Sequence, residues 1–311
     1  MIENSYFRGK RIEPSIPEDE LGQIPAALQA LFHETSLSPE NRDGKPAWLL
    51  FDVDGIFIEH KHTPENIAAH FEENKEAVLR IQAAIQKALA QGFHFGLSTG
   101  RSVEFVRALV KTLFPSIEPE VIIAESGFSI VRGDAETFPS TITPTDAEAL
   151  LQIKPDIETR FIENGWRAYK LHHCIGLVWP EGHNPDTALE QVESYLQDRG
   201  MAGDFVVIKA PSSIDIFPKG GGKEAALHDA IGTDAAMIYF GDSPGDHGSM
   251  KEAAIVVVPQ NGQARTKDFT ADITRDDHDS KTILALHMKE PLLGGVADSL
   301  DIITNTTAGL Q

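Results

Sequence analysis

Two short stretches of the 311-residue chain place carboxylates directly after apolar runs. In the first, Trp48-Leu49-Leu50-Phe51 stops at Asp52-Val53-Asp54-Gly55; in the second, Met237–Phe240 stops at Gly241-Asp242-Ser243-Pro244-Gly245-Asp246. A short continuous apolar run fits a parallel strand buried on both faces. Residues two apart share one side of an extended chain, so Asp52 and Asp54 face one pocket. In open α/β sheets, ligands bind beyond the carboxyl ends of the strands, which assigns both acidic clusters to one rim. Carboxylates gathered there repel one another unless a cation stands between them, and hard oxygen ligands of this kind suit Mg²⁺. Either cluster alone also reads as a helix cap or a turn. Two of them at strand ends in one chain favour the metal.

Anion-binding parts accompany the carboxylates. Ser98-Thr99-Gly100-Arg101-Ser102 opens a helix and offers hydroxyls, backbone N–H groups and a helix amino terminus. Gly220-Gly221-Gly222-Lys223 lets a backbone approach closely, and Lys223 places a point charge on a phosphate. A glycine run before a lysine is more often a surface loop, so the order of these pieces along the chain carries the signal. Arg101 either binds phosphate or braces its loop. His60, His62, His172 and His173 invite a metal reading, but neighbours on a strand point to opposite faces, which disfavours it.

The elements that must position these residues follow from periodicity. A helix is predicted over Lys75–Gln91, a strand over Phe93–Ser98, a helix over Val103–Leu113 and a strand over Val121–Ala124. This βαβαβ rhythm predicts an α/β fold, a Rossmann-like parallel sheet with helices on both faces. The rhythm breaks after Ile130. Helices at Ala147–Glu163 and Pro185–Arg199, with strands at Arg167–Trp179 and Phe205–Lys209, predict a smaller α+β insert. The parallel rhythm is expected to resume at Ile214–Phe217. The domain reading is an amino-terminal extension over 1–46, packed loosely outside; a core over 47–131 and 213–290; an insert over 132–212; and a weakly ordered tail over 291–311.

With 27 basic and 47 acidic residues, the net charge of −20 argues against nucleic acid and against anionic membrane surfaces. The single cysteine, Cys174, excludes an internal disulfide and points to a reducing cytoplasm; its place in an alternating run fits a half-buried strand cysteine better than a nucleophile. Neither a signal peptide nor a membrane helix is legible in the sequence.

The order Asp52-Val53-Asp54-Gly55, Thr99-Gly100-Arg101, Lys223, then Gly241-Asp242-Ser243 with Asp246 resembles the four-motif signature of the haloacid-dehalogenase-like phosphohydrolases. Only 44 residues lie between Asp54 and Thr99, whereas 95 lie between Gly127 and Lys223, which leaves room for a cap only after the second motif. Glu125-Ser126-Gly127 is similar to the Glu-Asn-Gly turn that precedes such caps, and Ser213–Lys223 resembles sucrose-phosphate phosphatases and phosphomannomutases of the eukaryotic type. Ile56 and Gly245 depart from the family's usual Thr and Asn.

The resemblance implies a catalytic nucleophile at Asp52 and a general acid–base at Asp54. It implies Mg²⁺ as cofactor, held by Asp52, the Asp54 carbonyl and Asp242, with Asp246 behind them. Phosphate would be held by Thr99, Gly100, Arg101 and Lys223, and Lys170 or His172 of the insert would reach the substrate. A phosphatase acting on a small phosphorylated sugar or polyol leads. A phosphomutase and a catalytically silent sugar-phosphate-binding protein are the rivals.

Overall fold

The computed structural model describes residues 11–12, 28–29, 32, 37, 44–169, 171–209, 213–273, 284–288 and 290–308. Its larger sheet has nine strands, ordered β1-β13-β12-β11-β2-β3-β4-β5-β6. These are β1 Arg11–Ile12, β2 Ala47–Phe51, β3 Phe93–Ser98, β4 Val121–Ala124, β5 Ser129–Arg132, β6 Ala135–Thr137, β11 Ala236–Phe240, β12 Ile255–Val258 and β13 Leu284–His287. All neighbours pair in parallel except β4–β5 and β5–β6, which close the edge as an antiparallel meander.

Alternation along β2 divides its side chains between two cores. Leu49 and Phe51 join Phe95 and Leu97 under the helices α1 Ile67–Glu73, α2 Lys75–Ala90 and α3 Val103–Leu113. Trp48 and Leu50 join Ile123, Tyr239 and Val256 under α6 Lys223–Ile231 and α7 His247–Glu252. Both faces of the strand are therefore dry, which is why it reads as an unbroken apolar run. The remaining core helices are α8 Ala264–Ile273 and α9 Leu292–Ala308.

The smaller sheet is wholly antiparallel, ordered β7-β8-β10-β9, from β7 Arg167–Ala168, β8 Ile175–Val178, β9 Phe205–Lys209 and β10 Ser213–Pro218. Helices α4 Pro144–Glu163 and α5 Pro185–Asp198 cover one face. Thr143 caps α4 in a reciprocal pair with Asp146, and Asn184 caps α5 ahead of Pro185. The two sheets are the core and cap expected from the sequence.

Four sequence expectations are corrected. The stretch Arg167–Trp179 is not one strand: β7 stops at Ala168, the chain bends through 171–174, and β8 returns antiparallel with Arg167 opposite Val178. Ile214–Phe217 does not resume the parallel rhythm. It lies in β10, at the heart of the small sheet, where Ile214 and Ile216 enter the cap core while Ser213, Asp215 and Phe217 line the opposite cavity. That alternation is the mark of a strand with one apolar face.

The amino-terminal extension is not loosely applied outside. Leu28, Phe32 and Leu37 are fully buried in the main core, and β1 adds a parallel edge strand beside β13. Most of that extension lies outside the described residues. The tail over 291–311 contains helix α9, which packs along α2 with Leu293, Val296, Ala297, Leu300 and Ile303 buried. Those residues recur at helical spacing; the Gly294-Gly295 pair disguises the stripe, and packing along α2 supplies what the isolated helix lacks.

Candidate active site

The carboxyl ends of β2 and β11 lie side by side in parallel register, Phe51 opposite Phe240, so the chain leaves both strands on the same rim. Asp52, Asp242 and Asp246 converge there, each offering a carboxylate oxygen within 4.8 Å of the others. Gly55 makes this possible. It has φ +77°, and a Cβ on it would fall 2.1 Å from the Asp242 carboxylate. The glycine is required both for its left-handed backbone and for the space it leaves.

Lys223, the first residue of α6, reaches into the cluster from below. Its Nζ stands 3.0 Å from Asp52 Oδ1 and donates to Asp246 Oδ1 at 2.7 Å. Asp246 is saturated: Oδ1 also accepts from Tyr239 Oη, and Oδ2 accepts from the backbone N–H of Asp242 and Ser243 and from Ser243 Oγ. It therefore braces Lys223 and the 242–246 turn. Asp242 is the opposite case, because its Oδ1 is buried with no hydrogen-bond partner.

The buried carboxylates of this cluster differ in their electrostatics. Burial, then the charge of Asp246, pushes Asp52 up to about 8 even though Lys223 opposes the shift. Burial, then Asp52, pushes Asp242 up to about 9. Burial would also raise Asp246, but Lys223, Tyr239 and Ser243 outweigh it and hold its carboxyl below the usual range. Burial works against the charge on Lys223, yet Asp246 and Asp52 keep its ammonium well above its ordinary value. The unpartnered Asp242 oxygen beside the Asp52 carboxylate is a donor set that could hold a hard divalent cation.

Asp54 lies on the other side of the turn, gripped by Arg101 through Nε to Oδ2 at 2.8 Å and Nη2 to Oδ1 at 2.6 Å. The same guanidinium donates to the carbonyls of His60 and His62, so the Arg101 side chain braces the loop after Asp54. Thr99 is fully buried, and its Oγ1 accepts from the Arg101 N–H; Gly100 lines the cavity. His60 stands 3.5 Å from Asp54, and His62 folds back on the Glu59 N–H.

Above these groups opens a cavity of about 870 Å³, lined from the large sheet by Asp52, Asp54 and Lys223 and from the cap by Tyr169, Leu171, His172 and Asp215. His172 sits on the loop between β7 and β8, its Nε2 3.2 Å from Glu104. Lys170 lies outside the described residues. Cys174, on the same loop, is fully buried, and burial raises its thiol well above the ordinary value, which removes it as a nucleophile.

Two further acidic residues belong to this region, in stretches the sequence marked without giving either side chain a role. Asp215 faces the cavity from β10, accepts from Ser126 Oγ at 3.2 Å, and is pushed up to about 6 chiefly by burial. Its signal was the Ser-Ile-Asp-Ile-Phe alternation. Glu125 is fully buried and bonded to the cap loop; a glutamate directly after the apolar strand Val121–Ala124 was its signal.

The site thus sets acidic strand ends and a buried lysine of a Rossmann-like sheet beneath an inserted cap. Residues 49–173 match the family of haloacid dehalogenase-like hydrolases, a stretch that holds Asp52, Asp54, Thr99, Arg101 and Glu125. No curated protein sequence matches the chain. Among solved structures, the sucrose-phosphatase of Synechocystis sp. PCC6803, in complex with sucrose and phosphate, aligns over 83% of this chain and 98% of its own, with 16% identity and a TM-score of 0.52. The carboxyl-terminal domain of C. albicans trehalose-6-phosphate phosphatase aligns over 90% and 96%, with 14% identity and a TM-score of 0.56. A haloacid dehalogenase-like hydrolase from Bacteroides thetaiotaomicron aligns over 83% and 100%, with 17% identity and a TM-score of 0.51. At these identities the likeness is one of fold. No helix among the described residues is long and apolar enough to cross a membrane.

Proposed function

We propose that the protein is a Mg²⁺-dependent phosphatase that hydrolyses a phosphorylated sugar or a related small phosphometabolite through an aspartyl-phosphate. The observation that carries this reading is the convergence of Asp52, Asp242 and Lys223, with the unpartnered Asp242 oxygen, beneath a cavity roofed by the cap. The match to the hydrolase family and the sugar phosphatases among the structural neighbours support it.

Asp52 Oδ1 accepts from the Val53 N–H at 2.7 Å and faces Lys223, which leaves Oδ2 as the attacking oxygen. Its bond to phosphorus forms as the ester P–O bond breaks, and Asp54 delivers a proton to the departing alkoxide. Asp54 then takes a proton from water, the water oxygen bonds to phosphorus, the bond to Asp52 breaks and inorganic phosphate leaves. Lys223 and the backbone of the Thr99–Arg101 loop hold the equatorial oxygens. Asp52 and Asp242 would hold Mg²⁺, whose positive charge would offset repulsion between nucleophile and substrate.

The test is to incubate the protein with a panel of sugar phosphates, following free phosphate and isomerised sugar phosphate together. Release of phosphate that requires Mg²⁺ and is lost in Asp52→Asn is the expected result. Isomer formation without phosphate release would replace the phosphatase by a phosphomutase, and no turnover across the panel would leave a binding protein.

A further inference from the structure

Glu125 is a fully buried carboxylate with no metal-binding geometry around it, and its three hydrogen bonds all go to the cap. Oε1 accepts from the His172 N–H at 2.9 Å, and Oε2 accepts from the His172 and His173 N–H groups at 2.9 and 2.6 Å. A buried carboxylate demands such partners, and charge-assisted bonds of this kind are the strong ones. The flanking contacts on the same loop are weaker in kind. His172 faces Glu104 and His173 faces Glu136, and the first of these pairs is largely solvated. On the cap side, the loop is held by Lys154, whose Nζ donates to the Cys174 carbonyl.

The backbone of Glu125 ties the same residue to the phosphate loop. Its N–H donates to the Arg101 carbonyl, and the Ser126 N–H donates to the Thr99 carbonyl. Glu125 and Ser126 both sit in the left-handed region, at φ 50° and 59°, a conformation that non-glycine residues hold only where surroundings enforce it. Gly127, at φ +96°, abuts the Gly222 carbonyl and the Lys223 N–H, where a Cβ would fall 2.2 and 2.6 Å away. One three-residue turn thus touches the loop holding Arg101, the start of the helix holding Lys223, and the cap.

We infer that the Glu125 carboxylate is the latch that seats the cap over the catalytic rim, a positioning residue that couples cap closure to the order of the phosphate-binding loop. This rests on the phosphatase reading, since closure over a phosphate ester is what the latch would serve. Opening the cap strips Glu125 of all three partners and leaves a charge in the sheet edge, so the closed arrangement is favoured before substrate arrives. A cap held shut more of the time binds substrate more tightly by the fraction of molecules competent to do so.

Amide hydrogen exchange on the full chain reads the latch at His172 and His173, in native protein and in Glu125→Gln, with and without Mg²⁺ plus orthovanadate. In native protein both amides are protected, and Mg²⁺ with orthovanadate slows them further. In Glu125→Gln, which loses one acceptor oxygen and turns an N–H toward an N–H, they exchange roughly tenfold to a hundredfold faster while β3 and β4 are unaffected. The KM for the best sugar phosphate of the panel rises by a similar factor, well beyond any change in kcat. Exchange at the free-peptide rate at both amides in native protein overturns the latch, and so does unchanged exchange in a folded Glu125→Gln. If that variant does not fold, the native measurement decides. If orthovanadate and phosphate esters do not bind at all, the phosphatase reading falls, and the exchange comparison between native protein and variant still decides the latch.

Discussion

Arg101 and Asp54 form a bidentate pair, two near-parallel N–H···O bonds of 2.8 and 2.6 Å between the second and the first motif. The fork fixes both carboxylate oxygens of Asp54 in place, so the proposed acid–base residue is oriented by the second motif. Arg101→Lys keeps the charge and loses the fork. It is expected to lower kcat about tenfold to a hundredfold with little change in KM, measured by steady-state kinetics on p-nitrophenyl phosphate. A rise in KM alone would make Arg101 a phosphate ligand instead.

Stability should fall as pH rises in metal-free protein. Asp52 and Asp242 have folded values raised from 3.8 to about 8 and about 9, so between pH 4 and 8 the folded state binds more protons than the unfolded state. The slope of unfolding free energy against pH is then negative. Asp215, raised to about 6, adds the same sign at the lower end. Asp246, shifted the other way, acts only below its ordinary 3.8. In chelator, the melting temperature is expected to drop by about 5 °C or more between pH 5 and 8. Mg²⁺ should reverse the drop at pH 8, with protons released on binding. A flat melting curve in chelator would count against the cation site.

Gly55→Ala tests the fit between the first and fourth motifs. The added Cβ meets the Asp242 carboxylate at 2.1 Å in a left-handed backbone. Strain of about 1–2 kcal/mol from the backbone alone is expected, together with a loss of Mg²⁺ affinity of tenfold or more, read by titration calorimetry.

Leu300→Ala probes the carboxyl-terminal helix. Leu300 is fully buried in the main core, so a loss of about 2–5 kcal/mol in unfolding free energy is expected by denaturant titration. A loss below about 0.5 kcal/mol, the usual range for a surface position, would return α9 to the status of a loose tail.

The sequence by itself determined the motif order and the parallel strands that carry it, because a strand dry on both faces must read as an apolar run ending where the chain meets solvent. Asp52, Asp54 and Asp242 stood out for that reason, and Lys223 and Asp246 by their place in the motif order. What only the tertiary structure decided were relations between elements far apart in the chain. Whether Arg101 grips Asp54 or waits for phosphate depends on how the loop after β2 lies against the loop after β3. The β7–β8 bend, where an unbroken strand was predicted, meets the Glu125 carboxylate, which takes the N–H groups of two of its residues. β10 joins the cap because Ile214 and Ile216 find an apolar face there. Helix α9 holds because its buried stripe packs along α2 into the main core, a partner that no local run of glycine, serine and threonine announces.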